Sequence, residues 1–159
     1  MTKSFSNILH ILASIAFISI IGAGIYEHAT SVPVWRLAPP MSLSMFQGEY
    51  GIQPANFWMP VHPITVLLML AALVANWKQP RRKQILIVLC GYLLILLITA
   101  TYFVPELMAI TKAAYSMTVS SDLTSRAETW EKLSLLRLSV LLVLAGVLLH
   151  ALTLKTEAK

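Results

Sequence analysis

Phe57-Trp58-Met59-Pro60-Val61-His62-Pro63-Ile64 opens an apolar run that continues to Trp77. An aromatic pair, prolines and a histidine thus stand at the head of a hydrophobic segment of membrane length. Histidine is rare at such a place unless it has a partner or a role. Proline fits the first turn of a helix, where its missing N–H would have had no intrahelical partner. The pattern therefore predicts an opening turn and then a helix over 63–77. Lys78-Gln79-Pro80-Arg81-Arg82-Lys83 follows directly, and this basic run fixes which way the segment points.

The same character extends along the chain. Hydrophobic residues make up 57% of the 159 positions and charged residues only 12%, against about 25% charged in a soluble domain. Such a chain cannot cover a water-facing surface, and its apolar residues come in runs that suit a bilayer. The length fits a single integral membrane domain, 1–159. The net charge of +5 is not a nucleic-acid signature, because much of the base excess sits in one short loop, as topology signals do. Cys90, the one cysteine, forms neither an internal disulfide nor a CxxC pair. It reads as a small buried or lipid-facing residue. The N-terminal run lacks a clear small-residue cleavage site and reads as a retained helix.

Four spans are predicted, over 6–26, 63–77, 84–104 and 135–154. The first is long enough, at about 1.5 Å per residue, to cross a hydrocarbon core of about 30 Å. It contains Gly22-Ala23-Gly24, small residues that let a neighbouring helix approach, and it ends in Tyr26-Glu27-His28. The connection 27–60 carries Pro33, Pro39, Pro40, Pro54 and Pro60 among many aromatics. So many prolines exclude a long helix, and the aromatics are too sticky for a solvated linker. A short surface helix over 41–48 inside an ordered cap is expected. Pro105 is expected to kink or interrupt the third helix. Ser120–Ser125 reads as an N-cap region, with a helix restarting near Ala127. The fold class expected is all-α: a four-transmembrane-helix bundle with an ordered extracytoplasmic loop cap. Lys78, Arg81, Arg82 and Lys83 place their loop in the cytoplasm. Both termini then lie there too, and 27–60 and 105–134 lie on the periplasmic side of a bacterial inner membrane.

That topology brings the unusual polar residues to one layer. Glu27, His28, His62, Glu106, Arg126, Trp130 and Arg137 all sit at outer helix ends, and converging ionisable groups in an apolar pocket form a site hypothesis. His62, His28, Arg137 and Glu106 are the candidate catalytic residues. A histidine titrates near neutral pH and suits a general base, and Arg137 would stabilise an enolate or phenolate. Inside an apolar span Arg137 needs a partner, and Glu106 or Glu27 is expected. His28, His62, Glu27 and Glu106 are also a donor set for a transition metal, although their spacing matches no local metal motif. Trp35, Trp58 and Trp130 are either interfacial anchors or the walls of a site for a lipophilic aromatic ligand. His10 and His150, near the opposite face, are either helix-end residues or haem ligands between helices 1 and 4.

The order of short motifs resembles a known family. It runs Val32-Pro33-Val34-Trp35, Leu37-Ala38-Pro39-Pro40, Phe57-Trp58-Met59-Pro60, then Thr101-Tyr102-Phe103-Val104-Pro105-Glu106, then Trp130 and Arg137. It is similar to that of the small four-helix membrane proteins of the anthrone oxygenase-like family, DUF1772. The resemblance implies oxidation of an anthrone to an anthraquinone by dioxygen, with no cofactor required. The contrasting expectation is a non-catalytic membrane component: a small-molecule or metal binder, a homo-oligomer, or a subunit of a larger complex in the lipid bilayer. A cavity reached by His28 or His62 separates the two. Transport is disfavoured, because no charged or broken helix falls at the bilayer midplane.

Overall fold

In a computed structural model that describes residues 3–154, the described chain is all-helical. Its elements are α1 (Lys3–Thr30), α2 (Val32–Trp35), a 3₁₀ turn (Met41–Phe46), α3 (Ala55–Ala75) and α4 (Arg82–Ile98). A wide π turn (Thr99–Phe103), α5 (Val104–Thr111) and α6 (Ser121–Thr153) complete them. Four helices are long and apolar enough to cross a membrane, which supports an integral membrane protein: Ser4–Trp35, Ala55–Ala75, Arg82–Thr111 and Ser121–Thr153. The 21 residues of α3 reach about 31 Å at the α-helical rise, just the thickness of a hydrocarbon core.

α1 packs on α3 and α6, and α4 closes the ring against the same two helices. Phe17, Met69, Ile85, Tyr92 and Leu148 fill its core, with Phe17 edge-on to Tyr92 at 5.1 Å. Gly24 serves the close approach predicted for the small residues of α1: a Cβ there would stand 3.3 Å from Leu138 Cδ1 of α6. Gly22 faces open space. Cys90 is exposed on the outside of the bundle.

A second core closes one end of the bundle. Val32, Trp35 and Leu43 pack there with Phe103, Ile110, Ala127 and Trp130. Trp35 meets Trp130 edge-on at 5.6 Å. Of the 41–48 stretch, Met41–Phe46 forms a 3₁₀ turn whose Leu43 is wholly buried in this cluster. Arg36 at the end of α2 pairs with Glu131 of α6 at 2.8 Å.

Three boundaries differ from the sequence reading. α3 begins at Ala55, with Pro60 and Pro63 inside the helix rather than at its start. Each interior proline removes one ladder hydrogen bond, a loss that membrane helices tolerate when neighbours hold the turn. Here Trp58 supplies that hold through contacts with α1 and with its own helix. α6 begins at Ser121, several residues before Ala127, because Ser120 Oγ caps it by accepting from the Leu123 N–H at 3.3 Å. Pro105 does not end the third helix. It occupies the first turn of α5, directly after the π turn, and such a wide turn accommodates a missing donor.

The opposite end is held by a buried arginine. Arg81, only 2% exposed, turns inward out of the basic loop, while Lys78, Arg82 and Lys83 stay exposed. Its Nε donates to Asn76 Oδ1 at 2.6 Å, and its Nη2 donates to Ser6 Oγ and Asn7 Oδ1. Asn76 Nδ2 donates to the carbonyls of Ala72 and Ser6.

Candidate functional site

Between the two cores lies a cavity of about 730 Å³. Its apolar wall comes from Ile20, Ile95 and Leu141 on one side and Val32, Trp35 and Phe103 on the other. The polar side chains enter from four helices and form two connected edges.

The first edge joins α1, α3 and α4. Trp58 and His62 are one turn apart on α3, so they share a face. Their rings stack at 5.5 Å with planes 20° apart. Trp58 Nε1 donates to Glu27 Oε1 at 2.9 Å, and His62 Nδ1 meets Tyr92 Oη at 2.7 Å. Among the described residues only Nδ1 of His62 is hydrogen-bonded.

The second edge joins α1, α6 and the π turn. His28 stacks on Trp130 at 6.3 Å, and its Nε2 meets Ser134 Oγ at 3.1 Å. Its Nδ1 is buried and has no partner among the described residues. Arg137 donates from Nη2 to Ser134 Oγ and from Nη1 to Thr99 Oγ1, each at 3.0 Å. Its guanidinium carbon lies 4.1 Å from the Phe103 ring centroid, a cation–π contact. Trp130 Nε1 donates to the Phe103 carbonyl at 3.0 Å, which locks the π turn to α6.

The expected carboxylate partner of Arg137 is not there. Among the described residues no carboxylate lies within ion-pair distance of it. Glu27 is held by Trp58 and acts on Arg137 only through space. Glu106 is taken by Arg126, which donates to both its oxygens at 2.7 and 3.0 Å.

The structure thus brings Glu27, His28, His62, Arg137, Trp35, Trp58 and Trp130 around one cavity and leaves Glu106 outside it. The π turn accounts for that exception. At about 3.6 residues per turn, a helix whose cavity face carries Tyr92, Leu96 and Thr99 would next present Glu106 and Ile110. The wide turn takes one residue more, and Leu107 and Thr111 line the cavity instead. The four-residue metal set fails with it. Among the described residues no three His, Cys, Asp or Glu side chains come together to hold an ion. The haem pair fails too: His10 is buried with Nε2 on the Leu148 carbonyl at 3.1 Å, whereas His150 is exposed.

Tyr92, Thr99 and Ser134 belong to the site and were not picked from the sequence. Two had a signal. Ser134 stands one turn before Arg137 on the same face, and Tyr92 is a phenol in the middle of an apolar run, where its hydroxyl needs a partner. No family model, no curated protein and no solved structure matches this chain.

Proposed function

We propose that the protein is a membrane oxygenase acting on a planar lipophilic aromatic compound of the anthrone type, held in the cavity. One observation carries the reading. An apolar-walled cavity of about 730 Å³, inside the usual ligand range of about 300–1,000 Å³, holds a guanidinium to which the described residues offer no ion pair and an imidazole that they bond only through Nδ1. The order of motifs that resembles the anthrone oxygenase-like family supports it as well.

In the tautomer with Nδ1–H donating to Tyr92 Oη, the lone pair of His62 sits on Nε2, open to the cavity. Nε2 takes a proton from the ring CH₂ next to the substrate carbonyl system. The resulting enolate oxygen lies against Arg137, where a fixed cation lowers its energy. The carbanion carbon gives its electrons to dioxygen, and protonation yields a hydroperoxide. Loss of water then leaves a ketone, so CH₂ and O₂ become C=O and H₂O. No metal enters this scheme. The orientation that goes with it has the second core as an extracytoplasmic cap and both termini in the cytoplasm of a bacterial inner membrane.

The test is oxygen uptake by purified protein in nanodiscs supplied with anthrone, with anthraquinone measured by chromatography. His62→Gln should cut the enzymatic rate by about a hundredfold or more while anthrone still binds. Uptake by the wild type no faster than spontaneous oxidation would overturn the oxygenase reading. Binding without uptake would assign the cavity to a non-catalytic ligand carrier.

A further inference from the structure

The cavity has a mouth, and its composition says where the ligand comes from. Residues that line the cavity and are also exposed mark the rim. In the loop that leads into α3 these are Ile52 and Gln53, and on α3 itself Ala55 and Met59, one turn apart. Along α5 and its C-cap they are Val104, Met108 and Lys112, a stripe at i, i+4 and i+8. Met59 is 75% exposed and Met108 42% exposed. The opening is therefore a slot between the first turns of α3 and the length of α5, sided by methionines. Methionine is flexible and adapts to irregular apolar shapes.

The depth of the slot follows from helix length. α3 is only about as long as a hydrocarbon core is thick, so Ala55 and Met59, in its first turns, sit where acyl chains meet headgroups. A lysine suits that level, because its stem stays with the apolar phase while the ammonium reaches the headgroups. Lys112 is the cation at the rim, and Arg137 is the cation at the base. Among the described residues Glu27 is the one carboxylate on the cavity wall, and it already accepts from Trp58.

We propose that the cavity fills sideways from the bilayer through the α3–α5 slot. Its ligand is a bilayer-dissolved planar amphiphile with one acidic oxygen, a phenol or enol, received by Lys112 at the rim and Arg137 at the base. The proposal rests on the cavity being a ligand site, and its two halves are tested separately.

The slot is tested without any ligand. Nitroxide labels are attached through Met59→Cys or Met108→Cys in a Cys90→Ser background, in nanodiscs. Both labels should be relaxed more by dissolved oxygen, which concentrates in lipid, than by a water-soluble nickel chelate. The reverse at both positions means a mouth open to water and overturns the lateral route, whatever the cavity binds. The ligand class is tested by titrating 1-hydroxyanthracene and anthracene into wild-type nanodiscs, with partition into empty nanodiscs subtracted. The hydroxylated compound should bind about tenfold tighter or better, as expected for a hydrogen bond to a charged group. Arg137→Gln should abolish that preference, and Met108→Trp should slow binding and release together with little change in affinity. Equal affinity for the two compounds overturns the acidic-oxygen assignment. Absence of binding by both overturns the ligand-site reading itself, and the nitroxide result then describes a lipid-filled groove.

Discussion

The imidazole of His62 lies on the indole of Trp58, one helical turn before it, with ring centroids 5.5 Å apart and planes 20° apart. The same indole gives its N–H to Glu27 of α1. One side chain therefore orients the imidazole and ties α3 to α1. The pair shares a helical face only because α3 starts at Ala55 and runs through both prolines.

Trp58→Phe should keep a ring beneath His62 but leave the Glu27 carboxylate without its donor. Stranding a partly buried acceptor costs about 1–3 kcal/mol, read as a lower unfolding midpoint in detergent. Glu27→Gln combined with Trp58→Phe should cost less than the two single changes added together. Simple additivity would show that the bond contributes nothing.

Arg137→Leu should leave the protein as stable as before, or more so. Replacing a buried charge by an apolar side chain of similar volume is often neutral or stabilising, and neither hydroxyl partner is stranded. Thr99 Oγ1 still donates to the Ile95 carbonyl, and Ser134 Oγ still meets His28. A drop in stability of more than about 2 kcal/mol would betray a carboxylate partner of the kind the sequence suggested. The preference for 1-hydroxyanthracene over anthracene should be lost in either case.

Glu106→Gln should leave ligand affinity unchanged. Its pair with Arg126 is partly exposed, at 23% and 36%, and such pairs contribute about 0.2–1 kcal/mol. A marked fall in oxygen uptake by this variant would return Glu106 to the site.

Arg81→Met separates packing from topology. It strands the amide oxygen of the buried Asn76, at a cost of about 1–3 kcal/mol, and takes a donor from the half-buried Asn7. Yet Lys78, Arg82 and Lys83 remain exposed in the loop. Reporter fusions at residues 80 and 120 should still give opposite sidedness, while the unfolding midpoint falls. Inverted fusions would show that Arg81 acts as a topology signal after all.

Depth along the helices was legible in the sequence; azimuth was not. The apolar runs located four helices, and the polar residues at their ends came to one layer, as Glu27, His28, His62 and Arg137 show. Which way each residue faces depends on rotation, and helices apolar on every side carry no period from which to read it. Glu106 is the clearest case, because its facing depends on a single wide turn upstream. The start of α3 was misplaced for a related reason. Proline marks helix starts by propensity, whereas here the contacts of Trp58 outweigh it. The partners of Arg137 were missed because serine and threonine hydroxyls give little signal in an apolar run.

The π turn also makes chain length a chemical variable. Because it holds one residue more than an ordinary turn, deleting one residue from 100–102 would let the helix close at its usual period with α5 facing as it does now. Leu107 and Thr111 would stay on the cavity wall and Glu106 off it. Tightening the same turn to α geometry without losing a residue would instead rotate α5 by about 100° and carry Glu106 to the wall where Leu107 stands. Related chains one residue shorter in this stretch would therefore keep the same cavity wall, whereas a one-residue gap in the regular part of α4 would not.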